Sequence, residues 1–171
     1  HSYSHVPFTG IGRLQKEKEI IECRQILKNI TGDGIAGFRA PYNCIDMDTF
    51  SVLEKEGFLY DASIIDGLGL LFPDIRDTDI GEIPISSVFG IPMEDVIWLY
   101  YLKMPGAYFY ILENKRTGME SYLFHPHHIA KHKEEFEQFI NHLKEENVIF
   151  ISHRELIETY DEGVQTSRDS S

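Results

Sequence analysis

Apolar positions recur with a helical period over residues 13–30, where Leu14, Ile20, Ile21, Ile26, Leu27 and Ile30 alternate with Lys and Glu. This predicts a helix from Arg13 to Asn29 with those six residues on its inner face. Thr31-Gly32-Asp33-Gly34 ends it, and Gly32 suits a left-handed cap. Ile35-Ala36-Gly37-Phe38-Arg39 reads as a short buried strand, broken by Pro41. A second helix is capped by Asp46 or Asp48 and closes at Gly57, with Phe50, Leu53 and Phe58 inward. Strands are expected at Phe58–Ile65, Ile80–Val88 and Met119–Phe124, with a Gly- and Asp-rich surface excursion at 66–81 and a buried helix or strand, helix being preferred, over Met93–Leu102. Lys131–Glu146 has the clearest amphipathic pattern, placing Phe136, Phe139, Ile140 and Leu143 on one side. A strand at Val148–Ser152 and a helix at His153–Tyr160 follow. Strands alternating with helices imply a mainly parallel α/β fold, as one domain over residues 1–160 with a polar tail at 161–171.

Composition narrows what such a domain does. The 171 residues are 42% hydrophobic and 12% aromatic, enough to build a core. Sixteen Lys and Arg against 28 Asp and Glu give a net charge of −12, which opposes an electrostatic grip on nucleic acid or on anionic membranes. No apolar run approaches the roughly 20 residues of a membrane-spanning helix. Cys23 and Cys44 fit no zinc-ribbon or redox spacing and are expected as unpaired thiols.

Three clusters carry candidate chemistry. His1 and His5 are spaced as on one helical face, but Ser2 stands where a metalloprotease would have its Glu, and Pro7 disfavours helix just before it. They are expected on a turn, either as ordinary surface histidines or as imidazole ligands for Zn²⁺, Co²⁺ or Ni²⁺. Arg39 follows a strand and precedes Pro41 and Tyr42, so its guanidinium sits where α/β folds build sites. It serves either to hold a carboxylate in two prongs or as half of a structural ion pair. His125 closes an apolar strand before Pro126, as a general acid or base or as a strand-end histidine with a structural bond. His127 and His128 follow as the less telling neighbours.

Taken in order, these clusters resemble the polysaccharide deacetylase (NodB-homology) family. His1-Ser2-Tyr3-Ser4-His5 is similar to its metal motif, Arg39-Ala40-Pro41-Tyr42 to its Arg-x-Pro-Tyr motif, and Leu123-Phe124-His125-Pro126 to its closing Leu-x-His motif in the His-Pro form of exopolysaccharide-associated branches. The stretches Gly57–Ile64, Glu82–Ser86 and Gly106–Phe109 also resemble segments of that branch. The resemblance implies a distorted, incomplete (β/α) barrel that lacks its opening strand in this chain. It implies metal-dependent removal of N-acetyl groups from an amino-sugar polysaccharide or a lipid-linked sugar. On this resemblance His1 and His5 hold the metal, preferably Zn²⁺. Arg39 holds the catalytic base carboxylate, Pro41 and Tyr42 line the acetate pocket, and His125 is the general acid with Asp61 beside it as tuner.

The family's first motif, Thr-Phe-Asp-Asp, has no counterpart among residues 1–171. The sequence is therefore expected to be a fragment, catalytically incomplete alone, that associates with a missing N-terminal segment bearing the base Asp and the third metal ligand. An extracytoplasmic or envelope setting is favoured over the cytoplasm. Two other functions stay open at this point: hydrolysis of small cyclic amides, as in allantoinase-like relatives, and carbohydrate binding without catalysis. Trp98, Tyr100, Tyr101, Tyr108, Phe109 and Tyr110 are candidates either for sugar-stacking walls or for core.

Overall fold

A computed structural model describes residues 1–32, 34–67, 78–114 and 118–159. The chain forms two compact units, one of residues 1–64, 68–84 and 151–171 and the other of residues 65–67 and 85–150. The polar tail and the centre of the 66–81 excursion lie outside the described residues.

In the first unit, helix α1 spans Arg13–Thr31 and ends on Gly32 at φ 75°, whose N–H bonds Lys28 O, as the Gly cap predicts. Its expected inner face is only partly inward. Ile20 is buried, while Leu14 and Ile30 are 83% and 76% exposed. The buried positions include Lys16 and Glu19, because each has a partner there. Lys16 Nζ donates to both Asp46 oxygens at 2.6 and 2.7 Å, and Glu19 accepts from the Ser4 N–H and hydroxyl. Helix α2 spans Met47–Lys55, with Asp46 capping it by accepting the Thr49 N–H.

Three two-residue strands, β1 (Gly37–Phe38), β2 (Tyr60–Asp61) and β3 (Gly81–Glu82), form a parallel sheet in that order. Gly37 faces Tyr60 across the ladder, and a Cβ on it would lie 2.0 Å from the Tyr60 ring. A side chain at this position would require the Tyr60 ring to move. Phe8, Ile20, Phe38, Phe50, Val52, Leu53 and Phe58 form the core of this unit. Residues 153–159 are helical, with His153 edge-on to Tyr60, as the sequence anticipates for this stretch.

The second unit holds a hairpin of β4 (Ser87–Val88) and β5 (Ile91–Pro92), a π-helical turn at Val96–Tyr101, and helices α3 (Pro105–Asn114), α4 (Pro126–Ile129) and α5 (Lys133–Glu145). The helix expected over Met93–Leu102 is thus a single wide turn that buries Trp98, whose indole N–H bonds Pro92 O at 2.9 Å. The predicted Lys131–Glu146 helix is held by α5, with Phe139 and Leu143 buried; α4 and a short 3₁₀ turn at Ala130–His132 precede it. Met119–Phe124 forms no extended ladder among the described residues; its pairings include a parallel bridge of Leu123 with Glu94 and a Ser86 N–H to Ser121 O bond.

Val148–Ser152, expected as a strand, is irregular, with Ile149, Phe150 and Ile151 at 87%, 58% and 46% exposure. A strand requires a ladder partner, and this segment has none among the described residues. Its apolar pattern alone does not supply one. No helix of the described residues is long and apolar enough to cross a membrane.

Candidate active site

The first unit gathers His1, His5, Arg39, Pro41 and Tyr42. Residues 1–5 are not helical; they run beside α1 and bond to it at several points. Tyr3 N–H bonds Glu19 O at 3.2 Å, Ser4 N–H bonds the Glu19 carboxylate at 2.7 Å, and the Cys23 thiol donates to His1 O at 2.7 Å. Cys23 and Cys44 are both free thiols, as their spacing implies. The His1 and His5 rings stand edge-on, 5.1 Å apart, and His5 in turn meets the Tyr42 ring at 4.9 Å. Both His5 (φ 57°) and Tyr42 (φ 59°) occupy the left-handed region, which costs free energy in a residue with a Cβ. The 3₁₀ turn at Pro41–Asn43 buries Pro41 and leaves Tyr42 67% exposed.

His1 Nδ1 lies 2.7 Å from Arg39 O. A carbonyl only accepts, so Nδ1 carries the proton and Nε2 keeps its lone pair. The Arg39 Nε–H donates to Ala62 O at 2.7 Å, and the Ala40 N–H donates to the Ser63 hydroxyl at 2.8 Å. The loop after β1 is thereby tied to the loop after β2.

Asp61, at the end of β2, is fully buried and accepts from both the Ser63 hydroxyl and the Ser63 N–H, at 2.8 and 2.7 Å. Its ladder partner is Glu82, which accepts the Ile64 N–H at 3.0 Å. Burial pushes both carboxyls above the usual range, and for Glu82 the Asp61 charge adds to it. Two donors on Asp61 favour its charged form, so the proton of the pair resides on Glu82.

The second unit holds His125. The Glu94–Leu123 bridge and the Asp95 N–H to Leu123 O bond at 3.1 Å put Asp95 alongside His125. One Asp95 oxygen lies 2.6 Å from His125 Nδ1 and the other accepts the His125 N–H at 2.6 Å. Asp95 is fully buried, whereas the His125 side chain is 34% exposed. The pair fixes the ring and holds the proton on Nδ1, so Nε2 is the ring nitrogen that Asp95 does not engage. Sequence reading expects Asp61 as the carboxylate beside His125; the bonded carboxylate is Asp95, because the Glu94–Leu123 pairing sets the register. The signal for Asp95 was the Met93-Glu94-Asp95 end of an apolar run, which periodicity alone does not pair with Leu123.

His127 and His128 follow on α4 with ring centroids 4.1 Å apart. Of the six candidate aromatic wall residues, Trp98, Tyr108 and Phe109 belong to the core, whereas Tyr100, Tyr101 and Tyr110 are 58%, 72% and 63% exposed.

A metal fits the chemistry of His1, whose Nε2 is left unprotonated by the Arg39 carbonyl in the manner of an oriented ligand. His5 provides the second imidazole edge. Among the described residues no group of three or more His, Cys, Asp or Glu side chains is arranged to hold a metal ion.

The polysaccharide deacetylase family model matches residues 1–60, which carry His1, His5, Arg39, Pro41 and Tyr42. A peptidoglycan deacetylase-like protein of Gibberella zeae is 41% identical over 64 residues, 37% of this chain and 19% of the relative. A family 4 carbohydrate esterase from Streptomyces lividans, solved with acetate, has a TM-score of 0.53 at 18% identity, covering 82% of this chain and 58% of its own. A protein of the polysaccharide deacetylase type from Mycobacterium smegmatis has a TM-score of 0.64 at 17% identity, covering 84% and 55%. At such identities the solved structures speak for fold, and that fold is α/β. The chain spans about a fifth of the length of the curated relative and little more than half of each solved structure. By sequence over residues 1–60, and by fold over most of its length, this chain resembles the polysaccharide deacetylases.

Proposed function

We propose that this chain is part of a metal-dependent hydrolase that removes N-acetyl groups from an amino-sugar polysaccharide or a lipid-linked sugar. The observation that carries the reading is the His1–His5–Tyr42 ring cluster bonded to the Arg39 carbonyl, within the stretch that matches the deacetylase family. The parallel β1–β3 sheet is read as part of a distorted (β/α) barrel.

His1 and His5 would hold the metal, Zn²⁺ or another divalent transition ion such as Co²⁺ or Ni²⁺, which when bound polarises an amide carbonyl and lowers the pKa of water. Tyr42, with its exposed ring and strained backbone, would bind the acetyl group and offer its N–H to the developing oxyanion. Arg39 would orient the base carboxylate, which the family's Asp-Asp motif provides and residues 1–171 do not. His125, oriented by Asp95, would protonate the leaving amine through Nε2. Asp61 is read as a support of the Arg39–Tyr42 loop. Metal affinity below that of a three-ligand site, and little turnover, are expected of residues 1–171 alone.

The test is acetate release from N-acetylated chito-oligosaccharides by a protein that carries this chain together with an Asp-Asp-bearing segment, with metal content measured alongside. Acetate release that stops on chelation and returns with Zn²⁺ or Co²⁺ supports the reading. Metal binding with release only from a cyclic amide would reassign the substrate. Oligosaccharide binding with no release from any acetylated sugar would leave a carbohydrate-binding protein in its place.

A further inference from the structure

We propose that Asp61 and Ser63 form a positioning relay for the His1 imidazole, transmitted through the single peptide group that joins Arg39 to Ala40. This rests on the reading of His1 as a metal ligand and adds to it residues that act through that ligand.

The relay is continuous. Asp61 accepts the Ser63 O–H at 2.8 Å, Ser63 Oγ accepts the Ala40 N–H at 2.8 Å, and the Arg39 C=O accepts the His1 Nδ1–H at 2.7 Å. Arg39 C=O and Ala40 N–H are opposite ends of one planar peptide unit, so fixing one end fixes the direction of the other. Every donor along the path points towards Asp61. Dipoles aligned in this way polarise one another, and the ionised end draws positive character along the chain.

Burial is graded along the same path. Asp61 and Ala40 are fully buried and Ser63 is 1% exposed, whereas His1 reaches the surface. A carboxylate kept in such a place is costly unless its bonds are satisfied, and Ser63 alone provides two of them. A loop brace needs no charge: the Arg39 Nε–H to Ala62 O bond already ties the two loops together. The carboxylate adds polarisation. Histidine ligands commonly give their second N–H to a carboxylate or a carbonyl, which sets the tautomer and raises ligand basicity. Here both appear in series, the carbonyl in contact and the carboxylate behind it. The result is an Nε2 held in one orientation as the electron-rich nitrogen.

The first test is the ¹⁵N spectrum of His1 in the metal-free wild-type chain, which should show a protonated Nδ1 and an unprotonated Nε2. The second is Co²⁺ affinity by competition, with thermal melting as the check on folding. Ser63→Ala should weaken binding by roughly tenfold and mix the His1 tautomers, since loss of outer-shell partners typically costs about 10–100-fold. Ser63→Thr, which keeps the hydroxyl, should restore both readouts. Asp61→Asn should fall between Ser63→Ala and wild type.

An Nε2-protonated His1 in the wild type would overturn the relay. So would a folded Ser63→Ala protein with unchanged tautomer and unchanged affinity. If Ser63→Ala does not fold, Asp61→Asn and the wild-type tautomer decide. A wild-type protein that binds no Co²⁺ or Zn²⁺, even with the Asp-Asp segment present, would sink the ligand reading of His1. The tautomer and its response to Ser63→Ala would still decide the relay.

Discussion

His125 takes its carboxylate directly, with Asp95 2.6 Å from Nδ1, whereas His1 reaches Asp61 only through a peptide group and a serine. The units around them differ in the same sense. The second packs Met93, Trp98, Tyr108, Phe109 and Phe139, with Asp95 as the one fully buried carboxylate among its described residues. The first buries Lys16, Glu19 and Asp61 beside its apolar core, and each has hydrogen-bonded partners. A direct pair depends on one register and one carboxylate. A relay spreads the same task over backbone that many residues hold, and single changes should act on it more gently.

The largest effect should separate the two histidines by what each loss removes. In the protein that carries this chain with its Asp-Asp segment, His125→Ala should lower kcat by at least about 100-fold, the scale of general acid catalysis, with metal affinity unchanged. His5→Ala should remove most metal binding. Titration with Co²⁺ beside acetate-release kinetics reads both; a His125→Ala protein that loses its metal would break the distinction.

Next comes the buried charge of α1. Lys16 is 2% exposed and satisfies Asp46, the cap of α2. Lys16→Ala should destabilise by about 2–3 kcal/mol, because it takes the cation from that carboxylate, leaving it the Thr49 donors, and opens a cavity. Lys16→Met should cost less by restoring volume. Urea denaturation measures both, and equal losses would mean that the lost ion pair alone matters.

A smaller effect should appear only with pH. The Glu82 carboxyl is raised by burial and by Asp61, from an ordinary value of roughly 4.3. Between the unfolded and folded values the native state binds the proton and the unfolded state does not. The stability this group contributes is therefore complete below about pH 4.3 and declines as pH rises towards the folded value. Glu82→Gln should flatten that decline, so its melting temperature should gain on the wild type between pH 5 and pH 9. A constant difference across that range would show that Glu82 is charged in the fold.

The smallest lies in the second unit's hairpin. Phe89 sits at φ 55° in the two-residue turn, 89% exposed, followed by Gly90 at φ 75°. Two left-handed residues in succession make the turn that Asn-Gly favours. Phe89→Asn should stabilise by about 0.5–1 kcal/mol, measured by thermal melting.

Local signals were legible wherever neighbours in sequence sufficed. The Gly32 cap, the Asp46 cap, α2, α5 and the turn at Pro41 all follow from residues within one helical turn of one another. The deacetylase-like motifs were legible for the same reason, since each is a short string. The inner face of α1 was not, because Lys16 and Glu19 became buried through partners 30 and 15 positions away. Val148–Ser152 has a strand's pattern without a partner to make it one.

What the sequence alone determined is therefore the set of short elements and the chemical inventory: two histidines spaced by four, an Arg before Pro-Tyr, and a His-Pro. Tertiary structure decided which carboxylate serves which histidine. The family resemblance implied Asp61 for His125, whereas the pairing of Glu94 with Leu123 brings Asp95 to His125 and the pairing of β1 with β2 sets Asp61 beside Ser63. Pairing between distant strands sets such partners, and a slip of one residue would turn each side chain to the other face.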